Sequence, residues 1–179
     1  MMGSRWIRVA RPASRVRHLA MTFVQTAMMW GVALWIAPTW IVVWERRLGV
    51  AGFEARTLSG WVLFALASAL GLWSGGTMAW HGDGTPLPLD TARRFVVAGP
   101  YRWIRNPMAV AGLAQGFGVA LVLGSFGVAA YCILGGLLWQ LAARPVEEAD
   151  LAQRFGGAYE RYRREVPCWR PRFPGVIQE

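Results

Sequence analysis

Four stretches of the chain, residues 19–44, 58–80, 107–123 and 126–143, contain no Asp, Glu or Arg and run to 26, 23, 17 and 18 residues. At about 1.5 Å per residue they reach about 39, 34, 26 and 27 Å, against a bilayer hydrocarbon core of about 30 Å. Segments with no charged face cannot coat a water-soluble domain. In lipid, where every backbone polar group must be satisfied within the segment, they must be helices. The sequence therefore predicts an all-α integral membrane protein of about four transmembrane helices, with a cytoplasmic loop and a C-terminal amphipathic helix. Only Gly124 and Ser125 separate the last two blocks, so residues 107–143 form a tight helical hairpin.

Charge orients this bundle. Of the 179 residues 16% are charged, well below the usual share of about 25% in soluble domains. The net charge of +9 comes from 19 arginines, which cluster beside the apolar blocks as juxtamembrane anchors, an arrangement that argues against nucleic-acid binding. Residues 1–18 carry five Arg and no acid, and the following apolar run of 26 residues exceeds a signal-peptide core of about 7–15, so it reads as a retained first span. Residues 81–106 add four Arg and 144–179 seven. With an even number of spans these three basic regions share one side, which the positive-inside rule makes the cytoplasm, placing the protein in the inner membrane with both termini cytoplasmic. The chain divides into a basic N-terminus (1–18), two spans (19–80), and a region (81–179) holding the loop, the hairpin and the tail.

Within the spans, Gly71 and Gly75, and Gly112 and Gly116, have the four-residue spacing that lets helices approach closely in lipid. Gln25, Gln115 and Gln140 are expected to hydrogen-bond between helices. Pro38 should disturb the first helix. Cys132 and Cys168 lie in different settings, so neither a disulfide nor a metal site is expected.

Chemistry concentrates at the cytoplasmic end. The loop 81–106 reads HGDGTPLPLDTARRFVVAGPYRWIRN. Gly82 and Gly84 flank Asp83 where the second span ends and allow backbone to approach a ligand, or cap the helix. Tyr101, Arg102, Arg105 and Asn106 stand at the mouth of the third span, where the guanidinium groups serve an anion or snorkel to headgroups. Glu147 and Glu148 follow the fourth span, suited to ribose hydroxyls or a cationic group, or to the start of a tail helix with Pro145 in its first turn. Val146, Leu151, Phe155, Tyr159 and Tyr162 make one stripe of that helix, weakened at Gly156 and Gly157, and should lie against the membrane or the bundle base. Each feature alone is accounted for by an ordinary structural role.

Taken in order, GDG at 82–84, GPYRWIRNPM at 99–108, EE at 147–148 and FGGAYERYRREVPCWRP at 155–171 resemble the isoprenylcysteine carboxyl methyltransferase and phospholipid methyltransferase superfamily. The resemblance implies an S-adenosylmethionine-dependent membrane methyltransferase whose cofactor contacts are Gly82, Gly84, Tyr101, Arg105, Asn106, Glu147 and Glu148, in a cytoplasmic pocket built from 81–107 and 144–172. It also implies a membrane-embedded small-molecule acceptor, lipid-like or isoprenoid, with membrane lipids as further partners; no obligatory protein partner is evident in the sequence. Asn106 stands where the family pattern has His, and Ala109 where it has Tyr. Asn cannot act as a base near neutral pH, and a carboxylate acceptor needs none, so a carboxylate is favoured, with Arg102 or Arg105 holding it. The alternatives are an NADPH-dependent membrane reductase of the sterol-reductase type and a non-catalytic scaffold.

Overall fold

The computed structural model describes residues 14–83 and 92–172, and these are helical and loop throughout, with no strand among them. The first span is one rod of three parts: α1 (Arg15–Trp30), a π-helical segment Gly31–Ile36, and α2 (Ala37–Arg47). Pro38, at the start of α2, lacks the N–H that would bond the carbonyl four residues back. The ladder loosens just ahead of it, in the π segment. α3 (Thr57–Gly82) returns, α4 (Pro107–Leu123) and α5 (Phe126–Leu138) form the hairpin, and a second π segment, Trp139–Ala143, leads into α6 (Arg144–Phe155) and α7 (Gly157–Glu165). Three continuous helices, Val16–Arg47, Thr57–Gly82 and Phe126–Phe155, are long and apolar enough to cross a bilayer; the fourth, Pro107–Leu123, is shorter. Their outward faces expose Trp35, Leu58, Leu66, Leu134 and Leu138, as expected where lipid is the solvent.

Close packing is strongest between α3 and α4. A Cβ on Gly60 would lie 2.7 Å from the Gly118 carbonyl oxygen, and one on Gly118 2.8 Å from that of Gly60, so the two backbones touch. Gln115 adds a bond from its Nε2 to Ser68 Oγ at 2.9 Å. A Cβ on Gly71, Gly75 or Gly116 would meet Ala111 at 3.4 Å, Thr22 at 3.2 Å or Cys132 at 2.5 Å, so these three are packing glycines. Gly112 differs from the spacing-based expectation: a Cβ there meets nothing within 4 Å.

The end of the bundle opposite the chain's loop and tail is closed by polar bonds. Gly124 turns the hairpin in the left-handed region at φ +61°, and Ser125 caps α5 by accepting from Val128 N at 3.0 Å. The Glu45 carboxylate accepts from Ser125 Oγ and from Gly127 N, both at 2.6 Å, tying α2 to the tip. Phe53 N and Arg56 N donate to the carbonyls of Gly124 and Leu121 at 2.9 Å each, fastening the loop after α2 to the same tip.

α6 starts at Arg144 with Pro145 in its first turn, yet it is no separate helix. Ala143 and Arg144 are both helical, and the π segment runs directly into it. The break comes at Gly156, whose φ of +51° and ψ of −129° suit only glycine. The thirty residues of Phe126–Phe155 reach about 45 Å, longer than the hydrocarbon core, so α6 projects past the membrane.

Candidate functional site

At the loop-and-tail end lies a cavity of about 500 Å³, within the range of about 300–1,000 Å³ usual for small-molecule sites. Its polar end is formed by Arg94, Tyr101, Arg105, Asn106, Glu147, Asp150 and Arg154. Its apolar end is formed by Met29 of α1, Met108, Gly112 and Leu113 of α4, and Gly135 and Gly136 of α5, with Trp139 and Ala143 of the π segment between.

The loop is drawn over this cavity by backbone contacts. α3 ends at Asp83, which takes the left-handed conformation at φ +52°, so the acid and not a glycine makes the turn. The Gly82 carbonyl then accepts from Arg93 N and Arg94 N at 2.7 and 3.0 Å, and Asp83 Oδ2 pairs with Arg94 Nε at 2.9 Å. A Cβ on Gly82 would lie 2.8 Å from that of Ala92, so glycine here permits the loop to close on the helix. Gly82 is buried beside the cavity without lining it. Gly84 lies outside the described residues.

A 3-10 turn, Gly99–Arg102, sets which side chains face inward: Tyr101 is buried in the cavity wall, Arg102 is exposed and outside it, and Arg105 turns back in. Arg105 Nη1 donates to Glu148 Oε1 at 2.9 Å with both side chains largely buried. Arg144 Nη1 approaches the same oxygen at 3.9 Å. One carboxylate thus orients two guanidinium groups, each of whose Nε atoms is buried with no hydrogen-bond partner. Glu148 sits behind Arg105 while Glu147 lines the cavity. Because no chain break precedes α6, the two acids do not sit at a free helix N-terminus, and dipole stabilisation does not account for them.

Glu147 stands in a setting unlike that of an exposed carboxyl. Burial, and then the charge of Glu148, push it up to about 7. The Tyr101 phenol is raised well above its ordinary value by burial first, then by Tyr162 and Glu147, and so stays neutral.

The tail completes the wall through contacts that span some sixty residues of sequence. Tyr162 donates to the Tyr101 carbonyl at 2.7 Å, Asn106 Nδ2 donates to Cys168 Sγ at 3.2 Å, and Arg105 N donates to the Pro167 carbonyl at 3.0 Å. Trp169 Nε1 donates to Gln140 Oε1 at 2.9 Å, fastening the tail to the π segment; Gln25 Oε1 is buried without a partner. Phe95 packs among Phe155, Tyr159 and Tyr162, so the aromatic stripe of the tail rests on the loop at the bundle base. Trp139, Asp150, Arg154, Gly135 and Gly136 were not singled out as site residues in the sequence, where the i, i+4 spacing of Asp150 and Arg154, which pair at 3.0 Å, was the signal to hand; Tyr162 stood in the tail motif and its stripe, and Gly112 among the spaced glycines, neither as a cavity residue.

A family model described as phospholipid methyltransferase matches residues 55–158, which takes in α3, the hairpin, α6 and the cavity's principal walls. The chain belongs to the phospholipid methyltransferase family. Within this family member the matched stretch includes every described residue of the cavity's polar end. A protein-S-isoprenylcysteine O-methyltransferase of Schizosaccharomyces pombe is 32% identical over 81 residues, 44% of this chain and 34% of that protein. The chain thus spans about a third of the length of that curated relative. No solved structure matches.

Proposed function

We propose that the chain transfers a methyl group from S-adenosylmethionine to a carboxylate on a lipid-like acceptor at the cytoplasmic face of the inner membrane. The observation that carries this reading is one cavity with an acidic, guanidinium-lined end and an apolar end lined by residues of the apolar helices. The residues present fit the cofactor. A buried carboxyl pushed up to about 7 is a group that gains from a cation beside it, and Glu147 is placed to face a sulfonium or ammonium group. Tyr101 and Asn106 supply further polar contacts, with Glu148 holding Arg105 in position.

When bound, S-adenosylmethionine supplies an electrophilic methyl carbon. A methyl transferred to an acceptor carboxylate would form an O–C bond as the C–S bond breaks, leaving S-adenosylhomocysteine, and would require no side chain to take a proton. The protein's part is alignment and exclusion of water. Arg105, whose Nε is buried and unpartnered, is the group to hold the acceptor carboxylate; Arg102, on the outer surface, is placed to meet the acceptor or a lipid headgroup as it arrives. Asn106 cannot take a proton, which a carboxylate acceptor does not require.

Calorimetry on the purified protein tests the reading: S-adenosylmethionine should bind, and Glu147→Ala with Glu148→Ala should weaken it. Wild-type protein that shows no binding at millimolar cofactor would sink the proposal.

A further inference from the structure

Glycine in a helix interior is destabilising relative to alanine, so a helical glycine calls for a reason: close packing, an unusual φ, or space. Gly112 of α4 and Gly135 of α5 have neither of the first two. Both have ordinary helical backbones, and a Cβ on either meets nothing within 4 Å, whereas one on Gly116 would sit 2.5 Å from Cys132 Sγ. Both line the apolar end of the cavity. Gly135 is exposed, as is Met29 on the facing rim. The rod that carries Met29 meets α5 through α2, toward the far end, where Glu45 bonds the hairpin tip and Ile41 and Val42 pack against the cluster that holds Val128 and Cys132, while α1 packs on α3. The cavity's apolar end therefore opens sideways between α1 and α5. Gly135 lies eight residues before Ala143, so the opening reaches about 12 Å along the span. What fills an apolar slot at that depth, continuous with a polar end, is a hydrocarbon chain still partly in the bilayer.

We propose that Gly112 and Gly135 are specificity-determining residues: their missing side chains set the bore, the width available to the acceptor's hydrocarbon chain in this slot. This rests on the reading of the chain as a lipid methyltransferase. Filling the bore by one carbon on each side discriminates by chain width and leaves the polar end untouched.

The test uses the full chain in lipid nanodiscs and two thioether carboxylates with photoreactive chain ends, one S-farnesyl and one S-dodecyl, equal in main-chain length and differing in branching. Gly112→Ala with Gly135→Ala should cut crosslinking of the farnesyl probe at the cavity about tenfold and change the dodecyl probe less than about twofold, the scale on which hydrophobic pockets discriminate single carbons. Gly76→Ala, which also points into open space but lies outside the cavity lining, should change neither. Crosslinking that is unchanged in the double variant, or reduced equally for both probes, overturns the proposal. S-adenosylmethionine binding measured on the same samples separates the two claims: chain-selective crosslinking without cofactor binding leaves the bore standing and removes the methyl-transfer reading.

Discussion

If Glu147 faces the cofactor's cation as proposed, cofactor binding should depend on pH in a direction fixed by that residue's surroundings. In the ligand-free protein its carboxyl is pushed up to about 7, by burial first and Glu148 second. A cation at about 4 Å in a medium of effective dielectric about 20 contributes about 4 kcal/mol, some 3 pKa units, which would bring the bound-state value to about 4. The ligand-free protein therefore holds more protons than the complex between those values. Binding releases the proton, and affinity rises with pH up to about 7 and then levels. For one group titrating at about 7 the ionised fraction grows about tenfold from pH 6 to pH 8, so the dissociation constant should fall about tenfold, or about 1.4 kcal/mol. The ligand's own α-amino group titrates near 8 on the reference scale, so the comparison is made against Glu147→Gln, in which the ligand's contribution is unchanged. Calorimetry at pH 6, 7 and 8 should give the slope in wild type and lose the protein's share of it in the variant. Equal slopes in the two proteins would refute the reasoning.

Other expectations follow from the same geometry. Glu148→Ala leaves Arg105 and Arg144 without their shared carboxylate and should cost on the order of 3 kcal/mol of fold stability, read as a lowered thermal midpoint in detergent, whereas Glu147→Ala, which breaks no ion pair among the described contacts, should leave that midpoint unchanged or raised. Glu45→Gln replaces a carboxylate that accepts two bonds of 2.6 Å at the hairpin tip and should destabilise by about 2 kcal/mol in an unfolding titration without altering cofactor affinity. Label transferred from methyl-labelled S-adenosylmethionine to membrane lipid should be released by mild alkali, as from a carboxyl ester; alkali-stable label would point to a nitrogen acceptor.

Much of the fold was legible because the bilayer permits so few solutions. Charge-free blocks of spanning length had to be helices, and two residues between blocks 107–123 and 126–143 left room only for a hairpin. Glycine spacing identified Gly71, Gly75 and Gly116 as contacts but could not separate them from Gly112, since the same residue type serves a tight crossing and an open wall. Pro145 reads in sequence as the start of a helix, because a proline suits the first turn; the π segment absorbs it and the helix runs on. In the site, the motif order brought together Tyr101, Arg105, Asn106 and Glu147, while the inward turn of Arg105 and the outward turn of Arg102 depend on the register of a four-residue 3-10 turn. Tyr162 and Cys168 reach the loop across separations of 61 and 62 residues, which no local pattern encodes.

The central claim is tested most directly in the membrane lipids themselves. Lipids extracted from cells with the wild-type chain, with Glu147→Ala/Glu148→Ala, and without the chain should be compared by mass spectrometry. The account predicts a species heavier by one CH₂ than its precursor, present with wild type and absent from the other two. A lipid profile identical in all three, with the wild-type protein folded in the membrane and supplied with S-adenosylmethionine, would contradict it.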